Sequence, residues 1–302
     1  MLRRLTALTL AAKACVAGGS CFRSEPFGKA MSPDLAARLA RPVAAFHARH
    51  PPRTWSLIVS LLGDAVLPRG GVIQAGVISE FCGLVGIDAG SVRTALSRLV
   101  ARRIVARERD GRKSFYRLTA AERADFTRAA DLIYGRRIIR PTGDWDLATL
   151  DSAESRGTLR TALSAQRFVP LGPMTMIRPA HADDAAQHMA GLRLFRAQSA
   201  DNPDDLARTL WPLAELGAAY RAFIAHFAGF DAGPEPAPDV AIVARVLLVH
   251  EFRRALLKDP VLPASALPVD WPAQDARILF ARAYKALTPA AEAWITARID
   301  AG

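Results

Sequence analysis

The stretch Gly86–Leu118, GIDAGSVRTALSRLVARRIVARERDGRKSFYRL, restricts the fold more than any other part of the chain. Val92, Ala95, Leu96, Leu99 and Val100 recur at i, i+3, i+4, i+7 and i+8. That is one apolar face at 3.6 residues per turn. The spacing predicts a helix over Ala89–Arg102, with Asp88 placed to accept from its free N-terminal amides. The opposite face carries Thr94, Ser97, Arg98 and Ala101, with Arg93 and Arg102 on its edges. Ile104–Glu108 then alternates as a strand, Asp110-Gly111-Arg112-Lys113 supplies turn chemistry, and Phe115–Leu118 alternates back. Thr119 and Glu122 form a T-x-x-E capping box for a following helix. A helix with a cationic face followed by a basic hairpin is the order of a recognition helix and wing in a winged helix-turn-helix.

The residues before it read as support. Trp55, Ile58, Leu61 and Leu62 mark a first helix, ended by the LPRGG loop at Leu67–Gly71. A second helix lies within Val72–Val85, with Ile73, Val77, Ile78, Phe81 and Leu84 or Val85 inward, and Gly86 stops it. The formal net charge of the chain is +11. Between Arg53 and Arg140 there are 16 Lys plus Arg against 8 Asp plus Glu, so most of that excess sits in under a third of the length. An Arg-rich composition or a solvated helix face would also explain part of this charge. Its concentration beside a basic hairpin favours double-stranded DNA, because each neutralised phosphate releases counterions. Thr94, Ser97 and Arg98 are the candidates for base edges, and Arg93, Arg102, Arg112 and Lys113 for phosphates. Arg69, in the LPRGG loop, joins the DNA-binding set.

With 302 residues, 51% of them hydrophobic, the chain can bury the cores of two or three domains. Cys15, Cys21 and Cys82 form no CxxC pair or Cys/His cluster, so neither a metal site nor a disulfide framework is expected, and Cys82 reads as a small core residue. There is no G-x-S-x-G, no phosphate-binding glycine loop and no Ser/His/Asp arrangement, so no catalytic residues and no cofactor are expected. Residues 1–30 resemble a signal peptide, MLRRLTALTLAAKACVAGGSC, interrupted by Lys13. A translation start placed too far upstream competes with that reading, Met31 being the natural alternative. Residues 31–52 read as a loosely packed lead-in, and no later stretch is apolar for long enough to span a bilayer.

In the central segment, Trp145–Leu150 reads as a strand and Ser155–Gln166 as a helix with Leu159 and Leu163 inward. Phe168–Arg178 is a strand region interrupted by Gly172-Pro173, Asp183–Met189 suggests a helix and Leu192–Gln198 a strand. The alternation predicts a small α+β sandwich with one helical layer. Further on, helices are expected over Leu213–Phe227, Val240–Leu257, Ala273–Leu287 and Pro289–Ile299, with a proline-spaced crossing at Pro260–Pro272. His250 and Arg254 lie at i, i+4 and share a face with room for an anionic ligand. Together with Arg253 and Trp271 they are candidates for binding an anionic, aromatic ligand. The competing reading makes His250 an interior hydrogen-bonding residue and Trp271 a packing residue that fixes its loop.

Several segments resemble the PaaX family of bacterial repressors. They are LLGDAVLPRGG at Leu61–Gly71, VRTALSRLV at Val92–Val100, GRKSFYRLT at Gly111–Thr119 and FVPLGPMTMIRP at Phe168–Pro179. LWPLAELGAAYRAFIAHF at Leu210–Phe227, LLVHEFRRALLKDPVLPASALPVDWP at Leu247–Pro272 and LTPAAEAW at Leu287–Trp294 extend the similarity over about residues 53–296. The resemblance implies a cytoplasmic, nucleoid-associated homodimer that represses a phenylacetic acid degradation operon and is released by phenylacetyl-CoA. It also implies an α+β chain of three domains. These are a winged helix-turn-helix at 53–140, a ferredoxin-like, Cas2-like domain at 141–204 and an all-helical domain at 205–302 for effector sensing and dimerisation. The chain departs from the family in VIQAGVISEF of the second helix and in Met174-Thr175-Met176, where a Trp is common. Likeness to Cas2 raises an alternative, a metal-dependent nuclease anchored by its winged helix. Asp146 and Asp151 bracket the first strand of that domain, with no second carboxylate evident from spacing.

Overall fold

The computed structural model describes residues 33–48, 53–151, 156–182, 190–198 and 203–300. Helix α1 spans Pro33–Ala48 and α2 Thr54–Leu61. A π-turn at Leu62–Val66 and a 3-10 turn at Leu67–Arg69 lead into strand β1, Val72–Gln74. Then come α3 (Ala75–Leu84), α4 (Ala89–Ala101), β2 (Val105–Asp110), β3 (Lys113–Leu118) and α5 (Ala120–Ile133). The sheet order is β1-β3-β2, antiparallel throughout, with Ile73 opposite Tyr116 and Val105 opposite Leu118. These four side chains are buried and anchor the sheet. Beyond Val105 every residue of β2 is exposed, so the hairpin stands off the core. Asp110 pairs with Lys113, which leaves a two-residue turn of Gly111 and Arg112. Gly111 takes φ +55°, the left-handed conformation that such tight turns need.

The chain divides into two compact units that do not follow three consecutive domains. The first joins the residues up to Arg136 with 222–254 and the residues from 275 onward. The second holds 137–221 and 255–274. Helix α9 runs over Pro238–Leu256, following α8 at Leu213–Phe227, and α10 over Ala273–Ile295. From Val240 to Phe252 every residue of α9 is buried. A helix buried on all sides needs neighbours on all sides, which the rest of the first unit supplies.

A buried polar cluster ties this first unit together. Asp64, in the π-turn, accepts from Tyr134 Oη at 2.7 Å, from Tyr284 Oη at 2.9 Å and from Arg245 Nε at 2.8 Å. Arg245 is fully buried and also donates to Glu292 Oε1 at 2.6 Å. Burial by itself would lower the Arg245 pKa, but Asp64, Tyr284 and Glu292 outweigh it and raise it. Burial and the Asp64 charge push both phenols upward, so they stay protonated as donors. On α3, burial raises the Cys82 thiol to about 12, in line with a core residue rather than a reactive one.

Four sequence expectations for this unit change. The lead-in is packed: Leu39, Val43 and Phe46 of α1 are buried, and His47 Nε2 lies 2.7 Å from the Val85 carbonyl oxygen. Ala273–Leu287 and Pro289–Ile299 are not two helices, because α10 continues through Pro289. Burial of Leu287, Ala290, Ala291 and Trp294 on both sides of the proline holds the axis together. Thr288 Oγ1 donates to the Tyr284 carbonyl at 2.7 Å in the turn before it. Val100 is not inward but 36% exposed, at the last turn of α4 where the core ends. Thr119 occupies the N-cap of α5 without capping it; its hydroxyl donates instead to the Arg103 carbonyl at 2.9 Å.

The second unit holds β4 (Pro141–Leu150), α6 (Arg156–Ala165), β5 (Val169–Pro170), β6 (Thr175–His181), β7 (Leu192–Ala197) and α7 (Pro203–Leu210). Its antiparallel sheet has the order β5-β6-β4-β7. Ala148, Leu150 and Met176 pack with Leu159 and Leu163 of α6 in one cluster. Trp145 and Ile177 pack with Ala207, Trp211, Leu262 and Ala266 in another. The rings of Trp145 and Trp211 stack at 5.7 Å. Helix α7 was not expected from the sequence; the expected helix at Asp183–Met189 lies outside the described residues. The expectations at 1–30 lie outside them too.

Removing a buried ionic partner leaves its mate uncompensated, which costs about 3–5 kcal/mol. Asp64→Ala should therefore lower the unfolding free energy of the first unit by that order, seen as a lower midpoint in urea titration. Tyr134→Phe should cost only about 1 kcal/mol, one hydrogen bond. Equal midpoints for wild type and Asp64→Ala would show that the cluster carries no stability.

Candidate nucleic-acid interface

Helix α4 starts where Asp88 caps it. Ser91 N–H donates to Asp88 Oδ1 at 3.0 Å and Ser91 Oγ to Oδ2 at 2.7 Å. The Ser91 hydroxyl, then its amide, hold the Asp88 carboxyl below the usual carboxylate range. Val92, Ala95, Leu96 and Leu99 bury the inner face. Arg93, Thr94, Ser97, Arg98, Ala101 and Arg102 are all exposed on the outer one. Thr94 Oγ1 donates to the Gly90 carbonyl at 3.0 Å, so its oxygen lone pairs remain as the groups it offers outward. The Arg102 guanidinium lies 5.4 Å from the centre of the Trp55 ring, a cation–π contact that limits its rotamers. Among the described residues, Arg93 and Arg98 take part in no ion pair.

On the hairpin, Arg117 pairs with Glu108 through two contacts, 2.7 and 3.2 Å. That pairing lowers the Glu108 carboxyl and raises Arg117, and it neutralises both. Arg107 donates to Ser114 Oγ at 3.0 Å. Arg109, Arg112 and Lys113 are exposed and make no ion pair among the described residues. Arg107 and Arg109 were not singled out from the sequence. Their alternation in ARERD was legible, but only the register shows that the Val105 side of β2 leaves the core after one residue.

Arg69 does not join the exposed set. It donates to the Ala65 carbonyl at 3.1 Å and forms an ion pair with Glu292, with a side chain only 20% exposed. The loop containing it is folded back into the first unit, so its charge is used internally.

Three of the four effector candidates, His250, Arg253 and Arg254, lie on α9. His250 is fully buried, and its Nδ1 lies 3.1 Å from Ser60 Oγ. Arg253 donates to Ser60 Oγ, to the Ser56 carbonyl and to Ser56 Oγ, each at 2.8 Å. Burial, with a smaller contribution from Arg254, lowers Arg253 to about 10, so it remains charged at neutral pH. These two side chains fasten α9 to α2. Arg254 lies in the same unit, half-buried, whereas Trp271 belongs to the second. There Trp271 meets Tyr220 edge-on at 6.1 Å. The first unit also has a cavity of about 260 Å³ between the 229–236 loop and α10, lined by Phe230, Glu235, Leu287 and Pro289 among others. None of the four candidates lines it.

Asp146 is buried opposite Arg178 and Arg196 on the flanking strands, at 3.1 and 2.8 Å. Both its oxygens are thereby occupied. Asp151 is exposed and paired with Arg193 at 3.3 Å. Among the described residues no group of three or more His, Cys, Asp or Glu side chains could hold a metal ion. No helix among them is long and apolar enough to cross a membrane.

The family of PaaX-like proteins matches residues 53–122, and the PaaX-like protein C-terminal domain matches residues 211–297. The transcriptional repressor PaaX of Escherichia coli is 33% identical over 267 residues, covering 80% of this chain and 82% of that protein. A solved structure of an uncharacterized protein from Mycobacterium tuberculosis is similar with a TM-score of 0.51 at 26% identity. The match covers 79% of this chain and 97% of that one.

Asp88→Ala should destabilise the start of α4 by about 1 kcal/mol, the usual worth of an N-cap. The folded-state pKa of Asp88 is depressed, so its contribution is present above the ordinary carboxylate pKa and fades as pH falls through the lower folded value. Thermal melts of the two proteins should differ at neutral pH and converge in acid. A constant difference across that range would show that the charge is irrelevant to the cap.

Proposed function

Because the chain belongs to the PaaX family of transcriptional repressors, we propose that it represses transcription by holding operator DNA against α4 and the β2–β3 hairpin. The observation that carries this reading is the continuous exposed cationic face of α4 and the hairpin. Arg93, Arg98, Arg109, Arg112 and Lys113 there have no intramolecular ion pair among the described residues. Acidic charge on the same surface is largely consumed: Asp88 caps α4 and Glu108 pairs with Arg117. The sequence β1-α3-α4-β2-β3 supports the winged helix-turn-helix reading, with α4 in the major groove and the hairpin along the backbone. The order β5-β6-β4-β7, antiparallel, with α6 between the first two strands in sequence, supports a ferredoxin-like reading of the second unit.

The full reading is a cytoplasmic homodimer that places two copies of α4 in successive major grooves of a palindromic site, about 34 Å apart. Its operon is one for phenylacetate breakdown. Phenylacetyl-CoA releases it by binding the non-repressing conformation more tightly than the repressing one. The nuclease alternative is not favoured, since Asp146 is locked between two arginines and Asp151 has no carboxylate partner for a hard cation.

A gel shift on the promoter beside its own gene tests the reading. Arg98→Ala should weaken binding and flatten sequence preference. The double substitution of Arg112 and Lys113 by Ala should weaken binding to all sequences and reduce the salt slope by about two. Phenylacetyl-CoA should release the complex where free phenylacetate does not. Unchanged affinity in both variants would remove this surface from DNA recognition.

A further inference from the structure

Five helices among the described residues end in the same way, with a left-handed residue just past the C-cap. At Gly86, Gly135 and Gly229 that residue is glycine, with φ of 82°, 70° and 85°. Glycine is expected there, because a Cβ in this conformation clashes with the backbone. After α4 the position is Arg103, with φ +57°. The cap geometry is otherwise regular: Arg103 N–H donates to the Val100 carbonyl at 2.8 Å and Ile104 N–H to the Leu99 carbonyl at 3.0 Å. The Thr119 hydroxyl holds the Arg103 carbonyl from the other side. The surrounding structure thus forces an unfavourable conformation on a residue that glycine would adopt freely.

A second helix provides a comparison within the same chain. Past α6 the left-handed residue is Arg167, with φ +67° and the same pair of cap hydrogen bonds. There the arginine is engaged within the second unit, its guanidinium donating to the Asp259 carbonyl at 3.0 Å. Arg103 is not engaged in this way. It is exposed, and it makes no side-chain hydrogen bond or ion pair among the described residues. Its place is also particular. The C-terminal carbonyls of α4 carry partial negative charge, which repels phosphate. Arg103 stands at that end, between Arg102 and the β2 strand that carries Arg107 and Arg109.

We infer that Arg103 is a DNA-phosphate contact, kept as arginine at a cost in backbone strain because its charge bridges the recognition helix and the hairpin. This rests on the DNA-binding reading and adds to it a residue that neither periodicity nor turn chemistry indicated. A purely structural arginine, compensating the helix dipole, would behave in the opposite way on substitution.

The test is Arg103→Gly beside Arg103→Lys and Arg98→Ala, in the full chain. Thermal melts give stability, and fluorescence anisotropy on a short random-sequence duplex gives affinity across a salt series. Arg103→Gly should melt at or above the wild-type temperature, since glycine relieves the strain. It should bind on the order of tenfold more weakly, the worth of one charge-assisted hydrogen bond, with a salt slope smaller by about one. Arg103→Lys should keep most of the affinity and the slope. A lower melting temperature for Arg103→Gly, or unaltered affinity and slope, would overturn the inference. Absence of duplex binding by the wild type would overturn it together with the DNA-binding reading. Weakened binding by Arg98→Ala with wild-type binding by Arg103→Gly would overturn it alone.

Discussion

One buried carboxylate organises the first unit. Asp64 sits in the π-turn after α2 and collects two phenols and a guanidinium from the C-cap of α5, from α10 and from α9. A charge in that environment is costly unless each lone pair is met. Arg245 meets it and is itself shared with Glu292, which reaches Arg69 at the end of the turn leading to β1. The chain of contacts runs from the C-terminal helix to the first strand of the β1-β3-β2 sheet. Removing a charged member leaves the charge of its partner uncompensated. The segment that carries the candidate DNA surface therefore belongs to one compact unit with helices that lie more than a hundred residues later.

That sharing gives a physical route for regulation under the proposed reading. Arg253 and His250 of α9 bond to Ser56 and Ser60 of α2, and Glu292 of α10 to Arg69. Arg298, just past α10, pairs with Glu80 on α3 at 2.8 Å. A ligand that favoured a different packing of α9 or α10 would have to break or move polar contacts to α2 and α3, on which α4 rests. Such contacts have discrete geometries and do not deform smoothly, which is what a two-state response needs. The residues selected from the sequence as effector ligands thus acquire another role: two of the four are ties between elements.

How much could be read from the amino-acid order depended on the range of the interaction. The α4 face, its Asp88 cap and the basic turn at Gly111 and Arg112 were all legible, because each is set by residues within one or two turns. The strands β4 and β7 and helix α6 were legible for the same reason. Arg69 was misread because its partner is Glu292, and no local pattern announces a pairing over that distance. Residues 31–52 read as loose because Leu39, Val43 and Phe46 form a weak pattern whose burial depends on what covers them. Pro289 read as a break because its cost is local, while the packing that overrides it comes from other parts of the chain.

Arg103 lies between the two cases. Its identity was plain, but nothing in the sequence reveals that its φ is positive; that follows only once α4 ends and β2 pairs with β3. Local chemistry alone decided that this chain has a helix with an apolar and a cationic face, followed by a basic hairpin. It also decided that the positive charge gathers there. Tertiary packing decided which of those charges stay exposed, since an ion pair such as Arg69 with Glu292 requires two distant segments to meet. It also decided that the C-terminal helices complete the core beneath α4, because a helix buried on every side, as α9 is, is stable only where the rest of the fold surrounds it.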